Sequence, residues 1–295
     1  LIIGGATATD KTKLAVKVAQ KYPSVLINAD SMQFYQDLSL LSNRPLNDDF
    51  RKIENKLFGV LQLPDTPNLG WWSKQVKAEI RRAHHKRKIP IIVGGTGLYL
   101  SSIEKKISFI PEIDNRVKEK INEIYELKGL NYLYQRLKNK DLETYKNLNA
   151  NDKYRIFRAL EVKLSTGKNI NYWKKIDNNN HLYKDYTFVI LKKNRSLLYK
   201  NINERFNCMV RKGVIEQVKD FMKKKVSVKH PINKMIGLKY IKRFILGELK
   251  LSEAIRLSQR DTRRYAKRQI TWFTHQPRNA KYFNFSEACD YLIKN

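Results

Sequence analysis

The 295-residue sequence predicts an α/β fold in which a parallel-sheet core is interrupted by an inserted helical lobe and followed by a helical C-terminal region. Three observations carry this. Short apolar runs at Leu1–Ile3, Val25–Ile27 and Ile89–Val93 form strands that alternate with stretches of helical periodicity. From Pro111 to about Lys184 that rhythm stops, and Lys, Glu, Tyr and Asn dominate at helical spacing. Tyr186-Thr187-Phe188-Val189-Ile190-Leu191 then restores a strand. The expected division is a core of residues 1–111 and 185–295, with 112–184 as the insertion.

The first strand runs into Gly4-Gly5-Ala6-Thr7-Ala8-Thr9-Asp10-Lys11-Thr12. This is close to G-x-x-x-x-G-K-[ST], the loop whose amides cradle phosphates while the lysine and hydroxyl complete the site. Asp10 stands where the second glycine belongs. Its charge would repel a bound dianion by roughly 4 kcal/mol at about 4 Å and an effective dielectric of about 20. Aspartate is among the non-glycine residues that best tolerate positive φ, so the shape of the loop is expected to survive. Leu14, Ala15, Val18 and Ala19 then fall at helical spacing up to Tyr22-Pro23.

The second strand delivers Asn28-Ala29-Asp30-Ser31-Met32-Gln33 at its C-terminal end, where open α/β sheets build their sites. Asp30 is there a candidate base or metal ligand, or an N-cap for the next helix. Trp71 to about Arg87 reads as a helix with Trp72, Val76, Ile80 and Ala83 on one face. The strand Ile89–Val93 ends in Gly94-Gly95-Thr96-Gly97-Leu98-Tyr99. An ATP-hydrolysing protein with such a loop usually ends this strand in a magnesium-holding acid. Glycines there suggest close approach of the backbone to a ligand instead, with Thr96 as a polar contact or an N-cap.

In the insertion, Arg155 and Arg158 lie three apart on one helical face, and Asn178-Asn179-Asn180 reads as a loop. The C-terminal helix runs from about Leu251 to His275. Arg256, Arg260, Arg263, Arg264, Lys267 and Arg268 span an arc of roughly 140° on it. Leu251, Ala254, Ile255, Tyr265, Ala266, Ile270 and Phe273 fill a separate, core-facing arc. A solvated face normally mixes signs, and only Asp261 interrupts the cationic one, which favours phosphate-backbone binding.

The whole chain carries a formal charge of +31, from 59 Lys+Arg against 28 Asp+Glu. Nucleic acid is the usual partner of such a surface, although a Lys- and Asn-rich genome composition also raises it. Cys208 and Cys289 lie far apart with no CxxC, so neither a disulfide framework nor a structural zinc site is expected. No apolar run approaches the ~18 residues of a membrane span. A cytoplasmic protein is expected, with residues ahead of Leu1, since the sequence does not open on Met.

Together these blocks resemble the tRNA dimethylallyltransferase (tRNA isopentenyltransferase) family over nearly the whole chain. The resemblance rests on the loop Gly5–Thr12, Asn28–Tyr35, Gly94–Tyr99, Ile110-Pro111-Glu112-Ile113-Asp114, Asn151-Asp152 with the arginine helix after it, Ile236–Lys239 and Thr262–Phe273. It implies a P-loop-kinase-like core with a helical insertion that contacts the tRNA anticodon arm. The implied reaction moves a dimethylallyl group from its diphosphate to N6 of the adenosine 3′ of the anticodon. Asp30, Thr7 and Arg205 would be catalytic, with Asp30 accepting the N6 proton. Gly5, Ala6, Thr7, Ala8, Thr9, Asp10, Lys11, Thr12 and Arg205 would bind the diphosphate, with Thr12 on Mg2+. Asp30, Ser31, Met32, Gln33, Thr96, Tyr154, Arg155, Ile156, Phe157 and Arg158 would meet tRNA. So would Lys234, Met235, Ile236, Gly237, Leu238, Lys239, Lys267, Arg268, Gln269, Ile270, Thr271, Trp272, Phe273 and Thr274. The partners implied are the anticodon stem-loop and dimethylallyl diphosphate, and the protein is expected to act as a monomer.

Two other functions compete. A decayed homologue that binds tRNA without efficient catalysis is motivated by Asp10. A small-molecule kinase is opposed by the missing acidic strand end and by the cationic C-terminal helix.

Overall fold

The computed structural model describes residues 1–45, 50, 52–104, 110–111, 113–176, 185–277 and 279–294. Glu112, the Asn178-Asn179-Asn180 loop and the expected end of the insertion at 184 lie outside them. The chain forms two compact units, Leu1–Ile103 with Tyr183–Asn295, and Glu104–Leu182, against the expected insertion of 112–184.

The larger unit begins with β1 (Ile2–Gly5), α1 (Lys11–Lys21), β2 (Ser24–Asn28), β3 (Glu54–Lys56), α2 (Leu69–His85), β4 (Ile89–Val93) and α3 (Gly97–Glu104). The smaller unit holds α4 (Asn115–Lys140), α5 (Leu142–Lys146), α6 (Lys153–Thr166) and α7 (Ile170–Ile176). The larger unit resumes with β5 (Phe188–Leu191), α8 (Arg195–Arg211), α9 (Val214–Lys223), α10 (Leu238–Ile245), α11 (Leu251–His275), β6 (Ala280–Phe283) and α12 (Phe285–Cys289).

Among the described residues six strands form one parallel sheet in the order β3-β2-β4-β1-β5-β6. Alternate side chains leave a strand on opposite faces, and the cores divide accordingly. Ile2, Val25, Ile27, Ile92, Phe188 and Ile190 join a cluster with Trp72, Val76, Ile80, Phe206, Ile241 and Phe273. Ile3, Leu26, Ile91, Val93, Val189 and Leu191 join one with Leu14, Ala15, Val18 and Ala288. The central strands are therefore buried on both faces, which is why they read as continuous apolar runs. Because every strand runs the same way, the loops after β1, β2, β4 and β5 all emerge at one edge.

In the smaller unit Ile121, Leu133, Leu137, Ile156, Phe157, Ala159 and Leu160 form a separate core. Gly129 interrupts α4 with φ 76° and ψ 177°, outside the helical region. Two strands escape the sequence reading. Glu54-Asn55-Lys56 of β3 has no apolar residue to signal it, and β6 is only four residues long.

Candidate active site

The loop after β1 turns sharply at Gly5, whose φ is 141°. A Cβ there would stand 2.7 Å from the Leu191 carbonyl oxygen of β5, so only glycine fits. The turn is braced from within. Thr9 Oγ1 donates to the Ala6 carbonyl at 2.8 Å, and Lys11 Nζ donates to the same oxygen at 2.6 Å. Asp10 adopts φ 67° and ψ 26°, so it supplies the left-handed turn expected of a glycine at the head of α1. Its carboxylate does not stand alone, since Lys193 Nζ lies 2.5 Å from Oδ2.

Asp30 follows β2. Buried Asn28 fixes the bend by accepting the Asp30 amide at 2.9 Å and donating to the Leu57 carbonyl at 3.0 Å. The N-cap reading of Asp30 is realised, and its position also leaves the carboxyl facing a cavity. Its Oδ1 accepts the Met32 amide at 3.0 Å, capping the 3-10 turn Ser31–Phe34, and its carboxyl lines the cavity beside Lys11, Thr7 and Arg205. Thr96 Oγ1 accepts the Ser31 amide at 3.2 Å, so Thr96 braces this turn, while its carbonyl accepts the amides of Tyr99 and Leu100 at the start of α3. From α8, Arg205 Nη2 donates to Thr7 Oγ1 at 2.6 Å.

Crowding of these charges by protein shifts all three. Burial raises the Asp30 carboxyl above its ordinary range, against the pull of the Met32 amide, Lys11 and Arg205. Burial lowers Lys11 to about 8 and Arg205 to about 10, with Asp30 the largest opposing influence on each.

Two cavities meet at this cluster. The larger, about 550 Å³, is walled by the loop residues Thr7, Ala8, Asp10, Lys11 and Thr12, and by Asp30, Gln33, Arg205 and Arg211. The smaller, about 280 Å³, shares Thr7, Asp30, Ser42, Asn43 and Arg205 with it. The rest of its wall is mainly apolar, from Met32, Leu41, Ile202, Phe206, Met209, Met235 and Ile236, with Tyr265, Lys234 and Arg268 at its margin. A polar, charge-lined chamber thus adjoins a mainly apolar one, with the Asp30 carboxyl between them.

On α11 the buried line is Ala254, Ser258, Ala266, Gln269 and Phe273. Ile270, expected in the core-facing arc, is 43% exposed, and Gln269, expected on tRNA, is 5% exposed. The phase of the helix differs from the expected one because Gln269 is needed inside. Its Oε1 accepts the Thr7 amide at 2.8 Å, and its Nε2 donates to the Gly95 carbonyl at 2.8 Å. One side chain therefore ties the loop after β1 to the loop after β4.

Gly94 lines the larger cavity, and the glycines after β4 also answer to close packing. A Cβ on Gly94 would meet the Ala29 backbone at 2.3 Å, one on Gly95 the Gln269 amide at 2.4 Å, and one on Gly97 the Trp272 ring at 2.3 Å. They let β2 and α11 pack closely. Polar residues at core phase were the available signal for Gln269; nothing local marks Lys193.

Of the other candidates, Lys267, Arg268, Thr271 and Thr274 are exposed on α11, while Trp272 is partly buried and Phe273 fully so. Arg264, Lys267, Arg268, Thr271, Trp272 and His275 line a surface groove. Lys234 and Lys239 are exposed and Ile236 partly so; Met235 and Leu238 are buried, and Gly237 turns the chain into α10 with φ 94°. In the smaller unit, Tyr154, Arg155 and Arg158 are exposed on α6, whereas Ile156 and Phe157 belong to its core.

Comparison with known proteins agrees in sequence and in fold. Residues 33–276 match the family model described as IPP transferase, and residues 1–58 match one described as isopentenyl transferase. A tRNA dimethylallyltransferase of Ehrlichia chaffeensis is 34% identical over 296 residues, covering 100% of this chain and 97% of its own. One from Caldanaerobacter subterraneus is 36% identical over 276 residues, with 92% and 88% covered. Among solved structures, a tRNA isopentenylpyrophosphate transferase of Staphylococcus epidermidis superposes with a TM-score of 0.69 at 26% identity, over 99% of this chain and 96% of that one. A eukaryotic dimethylallyltransferase acting on tRNA shares the fold, with a TM-score of 0.85 at 23% identity over 99% and 76%. With a family model spanning most of its length and relatives matched from end to end, the chain belongs to the IPP transferase family.

Proposed function

We infer that this protein transfers a dimethylallyl group from dimethylallyl diphosphate to N6 of the adenosine 3′ of a tRNA anticodon, acting as a monomer in the cytoplasm. The observation that carries the inference is the position of Asp30 and Arg205 at the junction of the charge-lined and the mainly apolar cavity. The diphosphate lies against Lys11, Arg205, Thr7 and Thr12, and its dimethylallyl tail enters the smaller chamber. The N6 lone pair forms the new bond to the allylic carbon as the carbon–oxygen bond to diphosphate breaks. Asp30, held by the Met32 amide, takes the N6 proton. Lys11 and Arg205 hold the charge that gathers on the leaving group. An N6 amine inside a stacked loop is out of reach, so the adenine leaves the stack to enter the site.

Magnesium fits the donors gathered here. The Thr12 hydroxyl is a hard oxygen donor at the wall of the larger cavity, where the substrate's phosphate oxygens would complete the ion's coordination. Bound there, Mg2+ would help neutralise the departing diphosphate.

Binding of tRNA without catalysis was motivated by the charge of Asp10, and its ion pair with Lys193 removes that ground. The test is Asp30→Asn, which keeps the cap to Met32 and removes the base. Prenylation of an anticodon stem-loop is expected to fall about 100-fold or more, with stem-loop affinity largely retained. Parental turnover in the variant would remove Asp30 from the chemistry.

A further inference from the structure

Three acidic and three basic side chains, Asp10, Asp30 and Glu204 against Lys11, Arg205 and Arg211, wall the larger cavity. That balance is poor for a site that must hold a multiply charged anion. Lys193 corrects it from just outside the lining. Its backbone is pinned on both sides. The Lys192 amide donates to the Phe283 carbonyl at 2.8 Å, and Asn194 caps α8 by accepting the Ser196 amide at 2.9 Å. β5 pairs with β1 through Gly5 and Leu191, so Lys193 emerges beside the loop at the same sheet edge. Its side chain is 11% exposed, and Asp10 is 2.5 Å away. Asn201 offers its amide oxygen to the same ammonium at 2.7 Å, in the orientation that also lets the amide donate to Leu197. A lysine so far from solvent needs an anion beside it, and an aspartate in a phosphate loop needs a cation.

We propose that Lys193 is a positioning residue of the donor site: paired with Asp10, it makes a loop that carries an aspartate in place of a glycine able to accept a diphosphate. The proposal rests on the donor-binding reading above. Asp10 supplies the left-handed backbone, Lys193 cancels the charge that comes with it, and Lys11 and Arg205 are left to face the ligand. Lys193 touches Asp10 and acts through it.

The test combines pyrophosphate binding by calorimetry with steady-state kinetics on the full chain. Lys193→Ala is expected to weaken pyrophosphate binding and raise the donor KM about tenfold, the screened remainder of the exposed aspartate's repulsion. The KM for the stem-loop and kcat should stay within about twofold, and Lys193→Arg should restore the parental donor KM. Asp10→Asn combined with Lys193→Ala should return pyrophosphate affinity to within about threefold of the parent, because charge is removed from both partners. A double variant as weak as Lys193→Ala, or a Lys193→Ala with parental affinity, overturns the proposal. Should Lys193→Ala fail to fold, Asp10→Asn alone decides. It should tighten pyrophosphate binding about threefold or more as Lys193 faces the ligand uncancelled, and equal or weaker binding overturns the proposal. A parent that binds pyrophosphate but prenylates no tRNA would sink the transferase reading and leave the pair standing. An active parent with an unrescued double variant would sink the pair alone.

Discussion

Asp30 and Lys11 line a cavity that moves both from their ordinary titration, the carboxyl upward and the ammonium down to about 8. With Asp30 as the proposed base, activity is expected to fall as pH drops through its raised pKa. With Lys11 as a proposed diphosphate contact, donor capture is expected to fall as pH rises through about 8. The donor kcat/KM, which reports groups of the free enzyme, is expected to be bell-shaped, with its acidic limb above the usual carboxylate range and its basic limb near 8. Lys11→Arg should carry the basic limb upward and leave the acidic one in place. A profile flat to pH ~9, above the lysine's lowered value, would show that Lys11 does not govern donor binding.

At the scale of the element, α11 does two jobs on opposite faces. Gln269 holds the loops after β1 and β4 together from inside, while Arg264 and Lys267 face solvent. Replacing Arg264 and Lys267 by Gln is expected to weaken stem-loop binding and lower the slope of log affinity against log salt by about one for each phosphate contact removed. Parental slope would take this face out of the interface. The boundaries of α11 were legible because its charged and apolar residues keep helical phase for the full 25 residues. β1, β2 and β4 were legible as apolar runs bounded by turn residues. β3 was not, because an edge strand of Glu, Asn and Lys owes its conformation to the register of Val25, Leu26 and Ile27. The site divides in the same way. Thr7, Lys11 and Asp30 could be found because each follows a strand with a local pattern. Gln269 was found as a candidate but given the wrong contact, and Lys193 was not found, since their partners stand 262 and 183 residues away in sequence.

At the scale of the molecule, the first strand depends on the last third of the chain. Ile2 lies against Ile92 on one side and Phe188 on the other. A fragment ending at residue 176 retains β1 to β4 but leaves one edge of β1 unpaired, with Ile2 and Ile3 still apolar on both faces. Exposed strand edges of this kind template association. The fragment is expected to aggregate and to lack the cooperative thermal transition of the full chain, as followed by light scattering and circular dichroism. A soluble fragment melting like the parent would show that the sheet does not need β5.

The same pairing sets a timetable for synthesis. A ribosome adding ~5–20 residues per second takes roughly ten to forty seconds to travel from Ile2 to its partner Phe188. For that interval the nascent chain carries the loop after β1 on a strand with one bare edge, while Glu104–Leu182, whose contacts are local, can condense first. The inserted lobe is therefore also a delay line, and that edge of β1 stays bare until translation reaches β5.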